Sequence, residues 1–422
     1  MAPASLPFDE LLSFVVDNRG RTCPVASTGL PLIATNCISN EHLYPTKDNV
    51  RYVDQDTYAN WFRAHPKPGD IIFVLKGAPG RCALVPNPVD FCIAQDMVAI
   101  RADKEKIDPA YLFAALRSPL IQELIDRMHV GTMIPHFKKG DFNKLLIPIP
   151  DRPVQEFIGN VHTALVEKIE LNRRMNETLE ATARAIFKDW FVDFGPTCAK
   201  VEGRAPYLAP EIWSLFPDRL DDEGKPEGWN ESTVGSEFNL TMGQSPPGET
   251  YNEAGEGLPF FQGRTDFGFR YPVRRKFCSA PTRVARPDDT LVSVRAPVGD
   301  LNMAWEECCI GRGVAAVRHN RGGRGYTQYS MQFLQPAIAR FEDSGSVFGA
   351  INKVQFERLR LIAPSLELID LYEATVQGMD DRIRANTSES ETLAAARDYL
   401  LPKLMSGEVR VKDAEKLVGE AI

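Results

Sequence analysis

The sequence predicts an α/β protein of the mixed α+β kind. One domain pattern is written twice, each copy runs into a long helix, and the two helices pair as a coiled coil. Three observations predict it. Residues 131–181 align with residues 345–395 at a constant offset of 214, without a gap. Short β-branched runs between Gly and Pro turns precede each aligned block. Each block then enters a proline-free stretch whose apolar residues step by three or four.

The repeat is carried by identities in the same order. They are Gly131/Gly345, Lys139/Lys353, Phe142/Phe356, Leu145/Leu359, Pro150/Pro364, Ile169/Ile383, Asn172/Asn386 and Leu179/Leu393. Upstream the offset drifts to 217–219, as short loop insertions would require. There PGDIIFVLKGAPG (68–80) meets PDDTLVSVRAPVG (287–299), pairing Asp70 with Asp289, Lys76 with Arg295 and Gly80 with Gly299. FCIAQDMVAIR (91–101) meets CCIGRGVAAVR (308–318), and GLP at 29–31 returns at 257–259. Chance likeness of two β-rich patches is the alternative. A gap-free run ending in NETLEA against SETLAA argues against it.

Within each copy, IIFVL (71–75) and TLVSV (290–294) read as strands. Helical spacing follows over 109–128 and over 326–341, where Pro336 is an awkward interior residue. KLLIPIP (144–150) and RLRLIAP (358–364) read as closing strands, each bounded by proline. From Val154 to Phe191 there is no proline, and Ile158, Val161, Leu165, Ile169, Asn172, Met175, Leu179, Ala183 and Ile186 form a seam. Met379, Ile383, Asn386, Ser390, Leu393 and Leu400 repeat the rhythm. A helix of about 38 residues would be roughly 57 Å long. Its other face, as in EKIELNRRMNE (167–177), is charged, so it needs a second helix to bury its seam. Asn172 and Asn386 are candidate register devices, since a buried amide favours a matching amide. The Pro-, Gly- and charge-rich residues 192–228 read as a linker or extended strap. The expected divisions are a first domain at 1–152, a long helix at 153–191, a linker at 192–228, a second domain at 229–365, a second long helix at 366–405 and a tail at 406–422.

The net charge of −8 is unevenly spread. Residues 1–150 are neutral, 151–228 carry −5, 229–364 carry +2 and 365–422 carry −5. Local field governs contact with nucleic acid, so the acidic total does not exclude it. The eight cysteines form no CxxC pair and fit a reducing cytosol better than a disulfide framework. No run of eighteen apolar residues or secretory leader is evident, so a cytoplasmic protein without a membrane span is expected.

Longer strings resemble a known family. IFKDWFVDFGP (186–196) with YLAPEIWSLFPDRLDDEGKPEGW (207–229) is similar to the central region of type I restriction–modification specificity subunits. LLPKLMSGEVRV (400–411) is similar to that family's C-terminal signature, and PEGWNESTVGSEFNLTMGQSPPGETYNEAGEGLPFF (226–261) to the opening of a target-recognition domain. The first copy begins differently, with MAPASLPFDELLSFVVDNRGRTCP, which places the start of its domain in doubt. The resemblance implies two target-recognition domains, each reading half of a split asymmetric DNA site. It implies an antiparallel helix pair that spaces them in a pseudo-twofold arrangement, and docking of two methyltransferase subunits and of restriction subunits. DNA repeats about every 34 Å, and paired helices of that order suit such a spacer.

The densest basic run lies between Arg264 and Arg286, with seven basic residues against Asp266 alone and with Tyr271 and Phe277 interleaved. Arg270, Arg274, Arg275 and Lys276 are expected on phosphates or on guanine. In the first copy the candidates are Lys76, Arg81, His136, Lys138 and Lys139, with Arg295 and Lys353 as second-copy counterparts. A solvated basic surface is the bland alternative. Catalytic motifs are missing. No Asn/Asp-Pro-Pro-aromatic string or GxxxxGK[ST] loop occurs. Pro217-Asp218 with Glu223-Gly224-Lys225 spells a nuclease-like pattern, but its spacing is too short to seat a metal between strands. The histidines form no HxH or HxxxH pair. The expectation is a DNA-recognition subunit with no catalysis and no cofactor of its own. S-adenosylmethionine, ATP and magnesium would belong to its partners. A stand-alone DNA-modifying enzyme and a coiled-coil scaffold without DNA binding are the alternatives.

Overall fold

The computed structural model describes residues 4–18, 22–128, 134–342 and 349–409. The Gly131/Gly345 identity and most of the expected tail lie outside these. The chain divides into two compact units. One runs to Met175 and resumes at Ala385; the other is Asn176–Arg384. Both long helices, Arg152–Phe191 (40 residues) and Leu366–Ser406 (41 residues), cross from one unit into the other, so each unit owns a part of each helix. The sequence divisions placed whole helices between domains. The contact pattern assigns their parts to the units instead.

The same sheet is built in both units. In the first, Leu12–Val16, Met97–Ala102, Ile71–Val74 and Cys82–Leu84 lie side by side in that order, all antiparallel. In the second, Phe238–Met242, Val314–His319, Thr290–Ser293 and Leu301–Met303 repeat the order. Ile71–Val74 and Thr290–Ser293 are buried at every residue, which is why they read as continuous β-branched runs. A second sheet, of three strands in the first unit and five in the second, contains a parallel pair, Leu32 opposite Cys92 and Phe260 opposite Cys309.

The repeated identities mark positions where the backbone leaves little choice. Gly29 has φ +134° and Gly257 φ +90°. A Cβ at either would stand 2.1 Å from a carbonyl oxygen, of Val53 or of Cys278. The GLP identity is therefore steric. Asp70 and Asp289 do matching work. Their carboxylates accept the backbone N–H of Lys67 (2.8 Å) and of Arg286 (2.7 Å). They then receive the guanidinium of Arg101 (2.8 Å) and of Arg318 (2.5 Å) from the neighbouring strand. A carboxylate placed this way fixes a turn and two strands at once.

Several sequence expectations change. The helix expected over 109–128 is two helices, Pro109–Arg117 and Pro119–Met128, because Pro119 drives Ser118 to extended backbone at ψ 144°. Pro336 stays inside a helix, Arg324–Ala339. The first copy opens on a strand, Ala4–Pro7, paired with Leu146–Ile149 as Asn230–Thr233 pairs with Arg360–Ala363. Strand pairing thus supplies the start that the strings did not. Residues 192–228 are not simply an extended strap. They contain the helices Gly195–Val201 and Pro210–Trp213, and Phe216 is buried with Trp190, Phe191 and Trp229 in the core of the second unit.

Within the first unit the helix parts run antiparallel. Ile158 and Leu165 face Leu400, Leu401 and Leu404, while Asn172 meets residues 386–390. Asn172 and Asn386 are both buried. The Asn172 amide donates to Glu389 Oε2 (2.7 Å), to the Asn386 backbone oxygen (3.4 Å) and to Ser390 Oγ (3.3 Å). A carboxylate is the stronger acceptor, which is why it captures the amide. In the second unit Tyr372 donates its hydroxyl to the Ala183 carbonyl (2.9 Å) and packs on Phe187.

His162 on the first helix is buried against Phe113, and neither ring nitrogen has a hydrogen-bond partner. Burial, with Arg117 and Arg397 nearby, lowers its pKa from 6.5 to about 3. The unfolded chain therefore takes up this proton first. Stability is complete above about 6.5 and falls as pH drops toward about 3. The loss is at most ~1.4 kcal/mol per pH unit. Urea midpoints of the protein and of His162→Phe between pH 7.5 and 4.5, on the order of one unit apart, should show the variant losing less. Equal losses would mean that His162 is not buried neutral.

Candidate nucleic-acid interface

In each unit the candidate cations cluster where two segments meet through backbone bonds. In the first unit, Phe137 donates to the Leu75 carbonyl (2.8 Å) and Gly77 to the Pro135 carbonyl (2.9 Å). Lys76 and His136 thereby form a β-bridge. Gly80 N–H to the Val74 carbonyl (3.0 Å) folds Arg81 back beside them. Lys76, Arg81 and Lys138 are exposed, His136 is half-buried, and the first three carry no ion pair among the described residues. Lys139 is held by Asp17 (3.3 Å) and is less free.

The second unit builds the same ledge with different chemistry. Ile351 donates to the Val294 carbonyl (3.1 Å) and Ala296 to the Gly349 carbonyl (3.1 Å). Arg295 bridges Ala350 as Lys76 bridges His136. Arg295 is exposed with no ion pair among the described residues, whereas Lys353 pairs with Glu357 (3.5 Å). At the positions of Arg81, His136 and Lys138 stand Asp300, Ala350 and Asn352. Two cationic positions are shared, Lys76/Arg295 and the ion-paired Lys139/Lys353, and Arg81, His136 and Lys138 have no basic counterpart.

The basic run separates into unlike parts. Arg274 pairs with Glu306 (2.5 Å) and Arg275 with Asp266 (2.9 Å), both remaining half exposed. Lys276 is exposed and unpaired among the described residues. Arg270 overturns its expected place on a phosphate: it is 3% exposed. Its guanidinium bonds Glu180 of the first long helix (2.6 Å) and Asp380 of the second (2.7 Å). Burial works against its charge, but the two carboxylates more than offset that, while burial pushes Glu180 and Asp380 up. It is a bolt between the loop and both helices of its unit. Nor is Tyr271 free for a base, since it is buried edge-on to Trp305 at 4.6 Å. Composition marked this run as basic. It could not show which of its side chains turn inward.

Among the described residues no group of three or more His, Cys, Asp or Glu could hold a metal, and no helix is long and apolar enough to cross a membrane. Asp218 of the nuclease-like string pairs with Lys200 (2.8 Å), and Glu223 and Asp221 share Lys225 in a turn.

With this arrangement in view, comparison with known proteins gives one class. Residues 27–181 match the type I restriction modification DNA specificity domain. The chain is 28% identical over 401 residues to a putative type I restriction enzyme specificity subunit, MjaX, of Methanocaldococcus jannaschii, covering 91% of this chain and 88% of that protein. It is 24% identical to the HindI specificity subunit of Haemophilus influenzae, covering 81% of this chain and 87% of that one. A crystal structure of the type I restriction–modification S subunit of M. genitalium shares the fold, with a TM-score of 0.57 at 18% identity over 96% of this chain and 99% of that one. These likenesses are all to type I restriction–modification specificity subunits.

The two kinds of cation, exposed and inward-turned, separate by measurement. Lys76→Ala or Arg295→Ala should weaken DNA binding uniformly across sequences and lower the salt slope by about 1, leaving the melting temperature unchanged. Arg270→Ala leaves buried Asp380 with Arg324 alone and takes the ion pair from part-buried Glu180, and should cost the second unit about 3 kcal/mol, seen in a thermal melt.

Proposed function

We propose that the chain reads a two-part, asymmetric DNA sequence, one part with each copy, and directs separate methyltransferase and restriction subunits to it without catalysing either reaction. The observation that carries this reading is the ledge. Lys76 and Arg295 occupy the same bridged position in both copies, while the residues around them differ. A shared cation suits the phosphate backbone, which is the same everywhere. Differing neighbours suit two different half-sites.

Lys76, Arg81, Lys138, Lys276 and Arg295 are the proposed phosphate contacts, with His136, Arg274 and Arg275 reaching bases or backbone once their pairs exchange. The acidic helices, 151–228 and 365–422 at −5 each, face protein partners. The proposed assembly holds two methyltransferase subunits. S-adenosylmethionine, ATP and magnesium reside on the partners, and the complex works in the cytoplasm.

The test is fluorescence anisotropy with duplex DNA over a salt series, together with a methyl-transfer assay on the chain alone and with its methyltransferase subunit. The expected result is binding that weakens steeply with salt, and methyl transfer only when the partner is present. Methyl transfer by the purified chain alone would contradict the proposal, as would affinity indifferent to salt and sequence.

A further inference from the structure

The second unit holds a cleft of about 490 Å³ between the first long helix and the second copy's domain. One wall is a face of the helix Arg324–Ala339, where Gln328, Gln332 and Gln335 follow at helical spacing. Gln328 is 5% exposed, yet its side-chain oxygen has no hydrogen-bond partner among the described residues, and the Gln332 side-chain oxygen is buried in the same state. Pro336 has no N–H to give, so the Gln332 backbone carbonyl, one turn back, also lacks its helical donor. Buried acceptors without donors cost stability, so this wall calls for donors from outside it. Another wall is apolar, lined by Phe269 and Leu301. Phe269 is 54% exposed on the tight turn of residues 268–271, which Gly268 N–H closes on the Tyr271 carbonyl (3.2 Å) and which the Arg270 ion pairs fix in place. The charges along the cleft cancel. Glu180 is held by Arg270 and Asp300 by Arg264 (2.9 Å), and Glu177 is matched by Arg184. The first copy does not repeat the row. Its helix is broken at Ser118, and Gln122, which lies against Gly80 as Gln335 lies against Gly299, donates its amide to the Gly80 and Leu116 carbonyls.

Resting on the assembly proposed above, we propose that this cleft seats one extended peptide segment of the methyltransferase subunit and recognises it through its backbone. Gln328 and Gln332 stand one helical turn apart, about 6 Å along the axis. On one edge of an extended chain the N–H groups recur at every second residue, about 6.7 Å apart. Two successive N–H groups on that edge can therefore donate to the two glutamine oxygens, while an apolar side chain covers Phe269 and Leu301. Water would pair the oxygens and leave the ring wet. A polyanion or a cationic side chain finds no net charge to draw it. A neutral main chain with an apolar side chain answers both walls. The methyltransferase subunit is its source: the first long helix, which the proposed assembly turns to protein partners, borders the cleft, and methyl transfer needs that partner alone. Because the row is not duplicated, each chain seats one such segment.

The test uses the full chain expressed with its methyltransferase subunit, with duplex DNA and the restriction subunit added in turn. With p-benzoylphenylalanine in place of Phe269, light should join that position to one stretch of the methyltransferase subunit, at no more than one subunit per chain. A synthetic peptide of that stretch should bind the full chain in fluorescence anisotropy. Methylating a backbone nitrogen on the donating edge should weaken it about tenfold, and methylating the other edge should not. Gln328→Leu and Gln332→Leu should each weaken the peptide about tenfold, while the melting temperature of the chain alone holds or rises, since each removes an unpaired buried acceptor. A merely structural role would lower it. Joining to DNA, to the restriction subunit or to nothing in an assembled complex would overturn the cleft proposal and leave DNA reading standing, as would backbone methylation without effect on either edge. If no complex with the methyltransferase subunit forms at all, the assembly itself fails and the cleft proposal with it.

Discussion

A long helix with one apolar stripe and three charged faces is unstable alone in water. The constraint on this chain is that its two such helices must bury their stripes against something. In the first unit Ile158 and Leu165 find Leu400, Leu401 and Leu404, and in the second Ala183 and Phe187 find Tyr372. The globular parts are fastened to these pairs. Ile158 and Val166 share a core with Tyr111 and Phe113, and Phe187 shares one with Tyr326 and Tyr329. The sheets are thus referenced to helices, and the loops to sheets.

Polar groups on this frame tie its parts to one another. Asn172 on the buried seam of one helix reaches Glu389 of the other. Arg270 takes a carboxylate from each helix, so the turn of residues 268–271 cannot shift without breaking these ion pairs. This is an asymmetric device, because Val166 and Ala394, the repeat counterparts of Asp380 and Glu180, carry no charge. Duplicated scaffold and unduplicated fastening together let two copies hold different loops.

How much of this was legible in the sequence differs by residue. The duplication, both long helices and the strands Ile71–Val74 and Thr290–Ser293 follow from periodicity and identity, because core positions constrain residue type. The steric glycines, Gly29 and Gly257, and the capping pair Asp70 and Asp289 appeared as identities whose cause only backbone geometry supplies. The break at Ser118 was signalled by Pro119 and overruled by helical spacing on either side. Arg270 and Tyr271 could not be placed. Whether a side chain in a basic loop faces solvent depends on partners 90 and 110 residues away, Glu180 and Asp380.

The central claim, that the copies read separate halves of one site, is tested most directly by exchanging residues 229–365 for the matching domain of another specificity subunit and sequencing the methylated sites in cells. The account predicts that one half of the recognised sequence changes and the other half is kept. A change in both halves, or in neither, would contradict it.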